Sequence, residues 1–526
     1  MSGRTSKILK SSFGVAVATL LSRFLGLVRV RLEASVLGGG ELASGWFLAF
    51  AIANLMRRLF GEGAVGQALI PIVADTHSNS GVERVRRELF PVFAVLGLIL
   101  GLLVVLVSGG VIAIASAAQA WNWKFFLAPH VQLALQILPL LMPYGLFMCL
   151  VGVITGVLNY FRKFFLPALG SLLLNIFLIS GLGYFLYHPG KPMLEQLQTL
   201  SVLTLLSGLV QLSLMLILLL WCGVFPKISW DFSGHKAVLK KLYSLALPGI
   251  IGGAALQTSF LIDRLLAAYL GPQAVPALTY VDRLVDLPIG MFALALGQVL
   301  MTSLSRSSAA GDMESFRSDL EFSLRQVMFL CIPMALAVVF FQRELLSVLC
   351  LGGRYTQQDL ESTSLVACFY GLGIPFFCAL KVLVPGFYAR KMMNIPLYAS
   401  LTAIGLNLAL NLSLMWHLRQ GGLALATLVS SMAHVGILLT VLHRQQLALN
   451  WGKLIFCAGR CTAAAIAAVL VSFGSLKIPV GDSWTGNLWR LGILLTVFPV
   501  VYFGVSAVIR CPELGEIIDG LRRKRS

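Results

Sequence analysis

The chain is poor in charge and poorest in acid: only 12% of its 526 residues are charged, with 22 Asp and Glu against 40 Lys and Arg. With 58% hydrophobic residues and a mean hydropathy of +0.87, this composition excludes a soluble globular domain and places the chain among polytopic membrane proteins. Nine cysteines lack the spacing of a disulfide framework or a metal site, and Cys457 and Cys461, on one helix face, read as packing residues. Seven histidines are scattered; His434 alone lies deep in an apolar stretch, where a helix-packing hydrogen bond is the expected role. The P-loop, the metalloprotease helix motif and the nucleophile elbow are all missing. ATP hydrolysis on this chain is thereby excluded, and a gradient is left as the energy source. Gly61-Glu62-Gly63-Ala64-Val65-Gly66 spells a dinucleotide fingerprint, but no strand precedes it, so its glycines read as a relaxed or hinged helix.

What is present is a series of apolar runs near twenty residues long. In lipid a backbone must satisfy its own polar groups, so runs of that length are helices rather than barrel strands. Fourteen are predicted: 12–36, 44–74, 90–117, 131–160, 164–187, 199–222, 242–270, 276–305, 322–342, 363–387, 394–415, 421–442, 455–475 and 487–509. The fold class is an all-α polytopic membrane protein. The first run continues through charged positions with no small-residue cleavage site, and is expected to stay as a helix rather than serve as a signal peptide. A net charge of +18 raises nucleic acid as a partner, yet no basic domain exists to bind it. The basic residues gather instead on one side of the predicted topology, as at Arg84, Arg86 and Arg87, at Arg162 and Lys163, and in the tail from Arg522 to Arg525. That asymmetry puts both termini in the cytoplasm, and the tail is a topology signal with a second expected role in touching anionic lipid.

An internal repeat organises the chain. Gly66-Gln67-Ala68-Leu69 is answered by Gly297-Gln298-Val299-Leu300, and Tyr160-Phe161-Arg162-Lys163 before Pro167 by Tyr388-Ala389-Arg390-Lys391 before Pro396. Both matches have an offset of about 230 residues. The repeat covers six helices, so its copies enter the membrane in the same direction, as parallel halves. The expected domains are 1–225, 226–445 and an appendix of two helices with the basic tail, 446–526. Transporters built from such halves bind substrate between them and expose it alternately to each side.

The first two apolar runs hold five arginines, Arg23, Arg29, Arg31, Arg57 and Arg58. Each costs at least ~2.5 to 3.5 kcal/mol in hydrocarbon, so together they must line something polar. Glu33 follows Arg29 by one helical turn and Glu62 follows Arg58 likewise, so both could close as pairs; Arg23, Arg31 and Arg57 are expected to lack a local partner. The second half is balanced, with Arg264, Arg283 and Lys381 against Asp263, Asp282 and Asp286. Guanidinium binds phosphate bidentately and never loses its proton, so this surplus suits phosphate or pyrophosphate. Arg23 and Arg31 lie within ~80° around the helix while Arg29 points elsewhere, so a common ligand requires a bend, for which the glycines at 38–40 and around Glu62 are candidates. A second constellation, Asp263, Asn407, Asn411 and Thr427, offers oxygens suited to sodium; its alternative is interhelical hydrogen bonding.

Ser22-Arg23-Phe24-Leu25-Gly26 with Arg29, Ala53-Asn54-Leu55-Met56-Arg57-Arg58-Leu59-Phe60 with Glu62-Gly63-Ala64, Asp282-Arg283-Leu284 with Pro288, and Lys381-Val382-Leu383-Val384-Pro385-Gly386-Phe387-Tyr388 resemble the MurJ (MviN) lipid II flippases over essentially the whole chain. The resemblance implies a member of the multidrug, oligosaccharidyl-lipid and polysaccharide exporter superfamily, a transporter and not an enzyme, in the bacterial cytoplasmic membrane. Its implied substrate is undecaprenyl-pyrophosphate-linked disaccharide pentapeptide, moved from the inner to the outer leaflet for peptidoglycan synthesis. It implies pyrophosphate binding by Arg23, Arg29, Arg57 and Arg283, to which Arg58 is added, and a lipid-tail groove in the last two helices. Gating or coupling falls to Glu62, Arg264, Asp282 and Asp286. Sodium, protons and membrane potential are all open as the drive, no other cofactor is expected, and membrane lipids and cell-wall synthesis or division proteins are the expected company. Ser44 stands where the family often has an acid, with Glu41, Asp282 or Asp286 as substitutes. A flippase for another polyprenyl-pyrophosphate glycan and a cation-coupled drug exporter are the alternatives.

Overall fold

The computed structural model describes residues 2–61, 64–228, 236–290, 294–445, 449–475 and 484–523. In chain order the helices are α1 (Ser2–Leu37), α2 (Glu41–Met56), a π-turn over Arg57–Gly61, α3 (Ala64–Trp121), α4 (Lys124–Leu127), α5 (Pro129–Tyr160), α6 (Phe165–Tyr187), α7 (Met193–Trp221) and α8 (Lys236–Leu270), then α9 (Ala274–Pro288), α10 (Leu294–Ala309), α11 (Met313–Phe340), α12 (Gln342–Leu349), α13 (Gln357–Ala389), α14 (Asn394–Leu418), α15 (Gln420–Arg444), α16 (Trp451–Ser475), α17 (Trp484–Val508) and α18 (Pro512–Arg523). Among the described residues the only β pairing is an isolated bridge between Gly352 and Tyr355. This is what a chain without water around its backbone must do.

Ten helices among the described residues are long and apolar enough to cross a membrane: α3 from Ala68, α5, α6, α7, α11 and α13 through α17. The other four predicted stretches, 12–36, 44–74, 242–270 and 276–305, are those that hold Arg23, Arg29, Arg57, Arg58, Arg264 and Arg283.

The chain forms two compact units, Met1–Pro276 and Ala277–Ser526. In the first, α5 is the hub, packed against α2, α3 and α7, while α1 lies on α6. Helix α8, which opens the second sequence repeat, packs on α3 and α2 within this unit. In the second, α13 packs against α10, α11 and α15, and α16 and α17 join α11 through a cluster that includes Phe329, Phe341, Cys461, Phe498 and Tyr502. The Tyr502 hydroxyl donates to the Phe329 carbonyl at 2.6 Å, so the polar end of this buried ring is satisfied. Cys457 and Cys461 sit in the same cluster with Sγ atoms 3.9 Å apart, as packing residues should.

The repeat is written into the backbone. The helices on either side of the first long polar loop meet at Gly81 (φ 72°), and their counterparts meet at Gly311 (φ 73°); Arg162 (φ 60°) and Lys391 (φ 59°) close the equivalent helices α5 and α13 in the same left-handed conformation. A positive φ is uncommon outside glycine, so matched positive values at matched positions mark one backbone used twice. The π-turn at Arg57–Gly61 is matched by π geometry at residues 289 and 290.

The Gly81 turn is fastened by ion pairs. Lys227 lies 3.0 Å from Glu83, Arg86 lies 3.0 Å from the same carboxylate, and Lys241 reaches Asp75 at 2.6 Å. The Lys227 hydrogen bond holds the Glu83 carboxyl below its ordinary range. A lowered carboxyl pKa strengthens the fold above the ordinary value, and that contribution is lost as pH falls through the lowered one. Amide exchange around residues 81–88, corrected for intrinsic rate, should therefore speed up on acidification, and Glu83→Gln should flatten the response.

Helix α18 is held on α11 by Arg325, whose Nη1 and Nη2 lie 3.0 Å and 2.9 Å from Glu513 and Glu516; Glu513 is 2% exposed. Removing one partner from a buried pair leaves an uncompensated charge and costs on the order of 3 kcal/mol. Arg325→Ala is expected to release α18, read as faster amide exchange over residues 512–523 while α16 keeps its protection.

Candidate substrate site

Two arginines owe their positions to the π-turn. A π-turn inserts a residue and leaves backbone groups short of their usual partners. Here the Cys149 thiol donates to the Met56 carbonyl at 3.2 Å, and α5 comes in close at a glycine: a Cβ on Gly145 would meet the Ala53 carbonyl oxygen at 2.8 Å and the Met56 Cβ at 3.1 Å. The turn that carries Arg57 and Arg58 is therefore clamped from α5. A similar approach recurs in the second unit, where a Cβ on Gly297 would meet the Lys381 carbonyl oxygen at 2.5 Å. The sequence places a relaxation of the second helix at Gly61-Glu62-Gly63. The structure sets the irregular turn directly under the two arginines.

Arg57 corrects an expectation. It has a local partner, Asn54, whose Oδ1 accepts from Nε at 2.6 Å; a search limited to carboxylates passes over an amide one turn back. Arg58 donates from Nη1 to Gln257 Oε1 at 3.4 Å, and its Cζ lies 4.8 Å from the centre of the Phe260 ring. Arg264 places its Cζ at the same distance from that ring and is 3% exposed. Gln257 and Phe260 carry no charge and are remote from Arg58 in sequence, so no spacing rule could have found them. Glu62, the expected partner of Arg58, lies outside the described residues.

On α1, Arg29 is 7% exposed and its Nε sits 3.4 Å from Glu33 Oε1, an ion pair that falls short of hydrogen-bond geometry. Arg23 and Arg31 are half-buried. The helix is docked beside Arg23 by Asn175, which donates to the Ser22 carbonyl at 3.1 Å, and by a hydroxyl contact between Ser171 and Ser22 at 3.2 Å. α1 runs without a break to Leu37, and Gly38 ends it at φ 77°. The glycines expected to bend the helix terminate it instead, because a left-handed residue past the last turn caps its carbonyls. Ser44 is fully buried, and its neighbour Gly45 presses on the His130 carbonyl of α5. The buried Ser44 hydroxyl makes no hydrogen bond among the described residues, a cost that would be larger for a carboxylate in the same place, while Glu41 is exposed.

In the second unit, Leu278, Val281 and Val285 bury one face of α9, so helical geometry puts Arg283 on the opposite face with Asp282 and Asp286 along its flank. Asp282 and Arg283 are half-buried and Asp286 is exposed. Asn407, Asn411 and Thr427 do meet: Asn411 Nδ2 donates to Asn407 Oδ1 at 3.0 Å, and Asn407 Nδ2 to Thr427 Oγ1 at 3.4 Å. They bond to one another as helix-packing residues do. As cation ligands they supply neutral oxygens alone, and the only carboxylate of the predicted set, Asp263, belongs to the first unit. Among the described residues, His, Cys, Asp and Glu form no group of three or more suited to a metal ion.

A repeated helical membrane fold with buried arginines beside a broken helix defines a transporter rather than an enzyme. Solved structures with this fold include one titled lipid II flippase MurJ in an inward closed conformation, with a TM-score of 0.73 at 21% identity, covering 94% of this chain and 99% of that one. An inward-facing MATE transporter of the MOP superfamily gives 0.63 at 14% identity, over 82% and 98%; these two likenesses are of fold. The chain belongs to the lipid II flippase MurJ family, whose profile matches residues 33–497. Relatives include a probable lipid II flippase MurJ of Vibrio cholerae, 32% identical over 96% of this chain and 95% of that one, and the lipid II flippase MurJ of Burkholderia cenocepacia, 28% identical over 95% and 97%.

Proposed function

We infer that this chain is a lipid II flippase of the bacterial cytoplasmic membrane, moving the lipid-linked peptidoglycan precursor from the inner to the outer leaflet by alternating access. The observation that carries the reading is the clamped π-turn, which spends packing precision on holding Arg57 and Arg58 inside a membrane helix in a chain of this family. Arg23, Arg29, Arg57 and Arg58 on the first unit and Arg283 on the second would hold the pyrophosphate, since guanidinium forks match its oxygens and keep their charge at any physiological pH. Glu62, Arg264, Asp282 and Asp286 would serve gating or coupling. Asp263 with Asn407, Asn411 and Thr427 would take sodium if an ion drives the cycle, with protons or membrane potential as the other drives. Both termini face the cytoplasm in this reading, the helices α16 and α17 take the lipid tail, and cell-wall synthesis or division proteins are the partners. The test is complementation: the chain should restore growth and cell shape to a strain depleted of its lipid II flippase, and failure to do so at normal membrane levels would count against the function.

A further inference from the structure

We propose that Tyr355 is a positioning residue of the substrate site, setting the placement of Arg283 through Tyr280. The connection from α12 to α13 reads Leu351-Gly352-Gly353-Arg354-Tyr355, and its glycines take positive φ, 128° and 61°, conformations that glycine adopts without strain. The turn closes where Gly352 and Tyr355 exchange backbone N–H···O bonds at 3.1 Å and 3.2 Å. Thr356 then caps α13 in a reciprocal bond with Asp359. Tyr355 is thus fixed at its backbone, and its hydroxyl is fixed as well, donating to Thr363 Oγ1 at 2.7 Å. What the ring holds is α9. The Tyr355 and Tyr280 rings meet edge to face with centres 5.5 Å apart and planes at 83°, and both are fully buried, a favoured arrangement for two aromatic rings. Tyr280 stands one helical turn before Arg283, so a shift or rotation of α9 at this contact passes directly to the guanidinium. A bidentate fork tolerates little displacement from its phosphate oxygens.

This inference rests on the flippase reading, with Arg283 on the substrate. The test is flipping by the full-length chain in proteoliposomes, with half-saturation by lipid II and the maximal rate measured separately. Tyr355→Leu should raise half-saturation about ten-fold and leave the maximal rate within about two-fold, and Tyr280→Leu should match it. Tyr355→Phe keeps the ring and loses the bond to Thr363, so its Tm should fall while half-saturation stays within about two-fold of wild type. In an Arg283→Lys chain, where the fork is already gone, adding Tyr355→Leu should change half-saturation by less than about two-fold. Wild-type half-saturation in Tyr355→Leu overturns the role. So does a ten-fold loss that recurs undiminished in an impaired Arg283→Lys chain, since Tyr355 would then act on the fold and not through Arg283. An Arg283→Lys chain with wild-type half-saturation takes Arg283 off the substrate, which sinks that part of the flippase reading and the role of Tyr355 with it.

Discussion

Replacing Arg29 with alanine is expected to abolish lipid II flipping while the chain still inserts. Two effects combine. The guanidinium is lost from the substrate, and charge-assisted hydrogen bonds of ~1.5 to 3 kcal/mol correspond to a loss of about 10- to 100-fold or more for a bidentate contact. Glu33 is also left in a buried setting, 5% exposed and without the cation beside it, at a stability cost of ~3 to 5 kcal/mol. The double variant Arg29→Ala/Glu33→Ala separates them: it should recover thermal stability but not flipping. Arg29→Lys keeps the charge without the fork and should fall between. Arg283→Ala should lose flipping as Arg29→Ala does. Membrane levels by immunoblot and outer-leaflet lipid II by surface labelling read both quantities, and a double variant that flips at the wild-type rate would remove Arg29 from the substrate site.

Gly145→Ala has the next largest expected effect, although the residue is small, uncharged and not itself a ligand. Its Cβ would stand 2.8 Å from the Ala53 carbonyl oxygen, closer than atoms pack, so either α5 or the π-turn must move. Overpacking of this kind costs ~1 to 3 kcal/mol, and the displaced element carries Arg57 and Arg58. Flipping should fall about ten-fold, by analogy with the rate lost when binding groups shift by about 1 Å, together with a lower Tm. Gly183→Ala is the control. Nothing lies within 4 Å of that Cβ, and the helical preference for alanine over glycine should leave stability unchanged or raised by up to ~1 kcal/mol. Equal behaviour of the two variants would show that the clamp on the π-turn is not what positions the arginines.

The helices and the duplication were legible because they follow from solvent and period. Apolar length dictates spans, and the paired motifs around Arg162 and Lys391 turn out to share a left-handed residue as well as letters. The Arg29–Glu33 pair was legible because a helical turn brings those positions together. What stayed hidden is what depends on contact between remote segments. Arg58 takes Gln257 and Phe260 from a helix 199 residues away in the first case, and α8 packs with the first unit although the repeat counts it with the second half. Asn54 was within reach of sequence reasoning, since it lies one turn before Arg57, but a neutral amide is not what a search for charge partners seeks. The roles of the Gly38–Gly40 run differ for a similar reason: glycine bends a helix or ends it, and only the path of the next segment decides which.

The most direct measurement is leaflet-resolved accessibility of lipid II in vesicles that contain the purified wild-type chain, with empty vesicles and vesicles of the Arg29→Ala/Glu33→Ala chain as controls. Labelled lipid II confined to one leaflet should become accessible to an impermeant reagent on the other only with the wild-type chain. Equal accessibility in all three preparations would contradict the account.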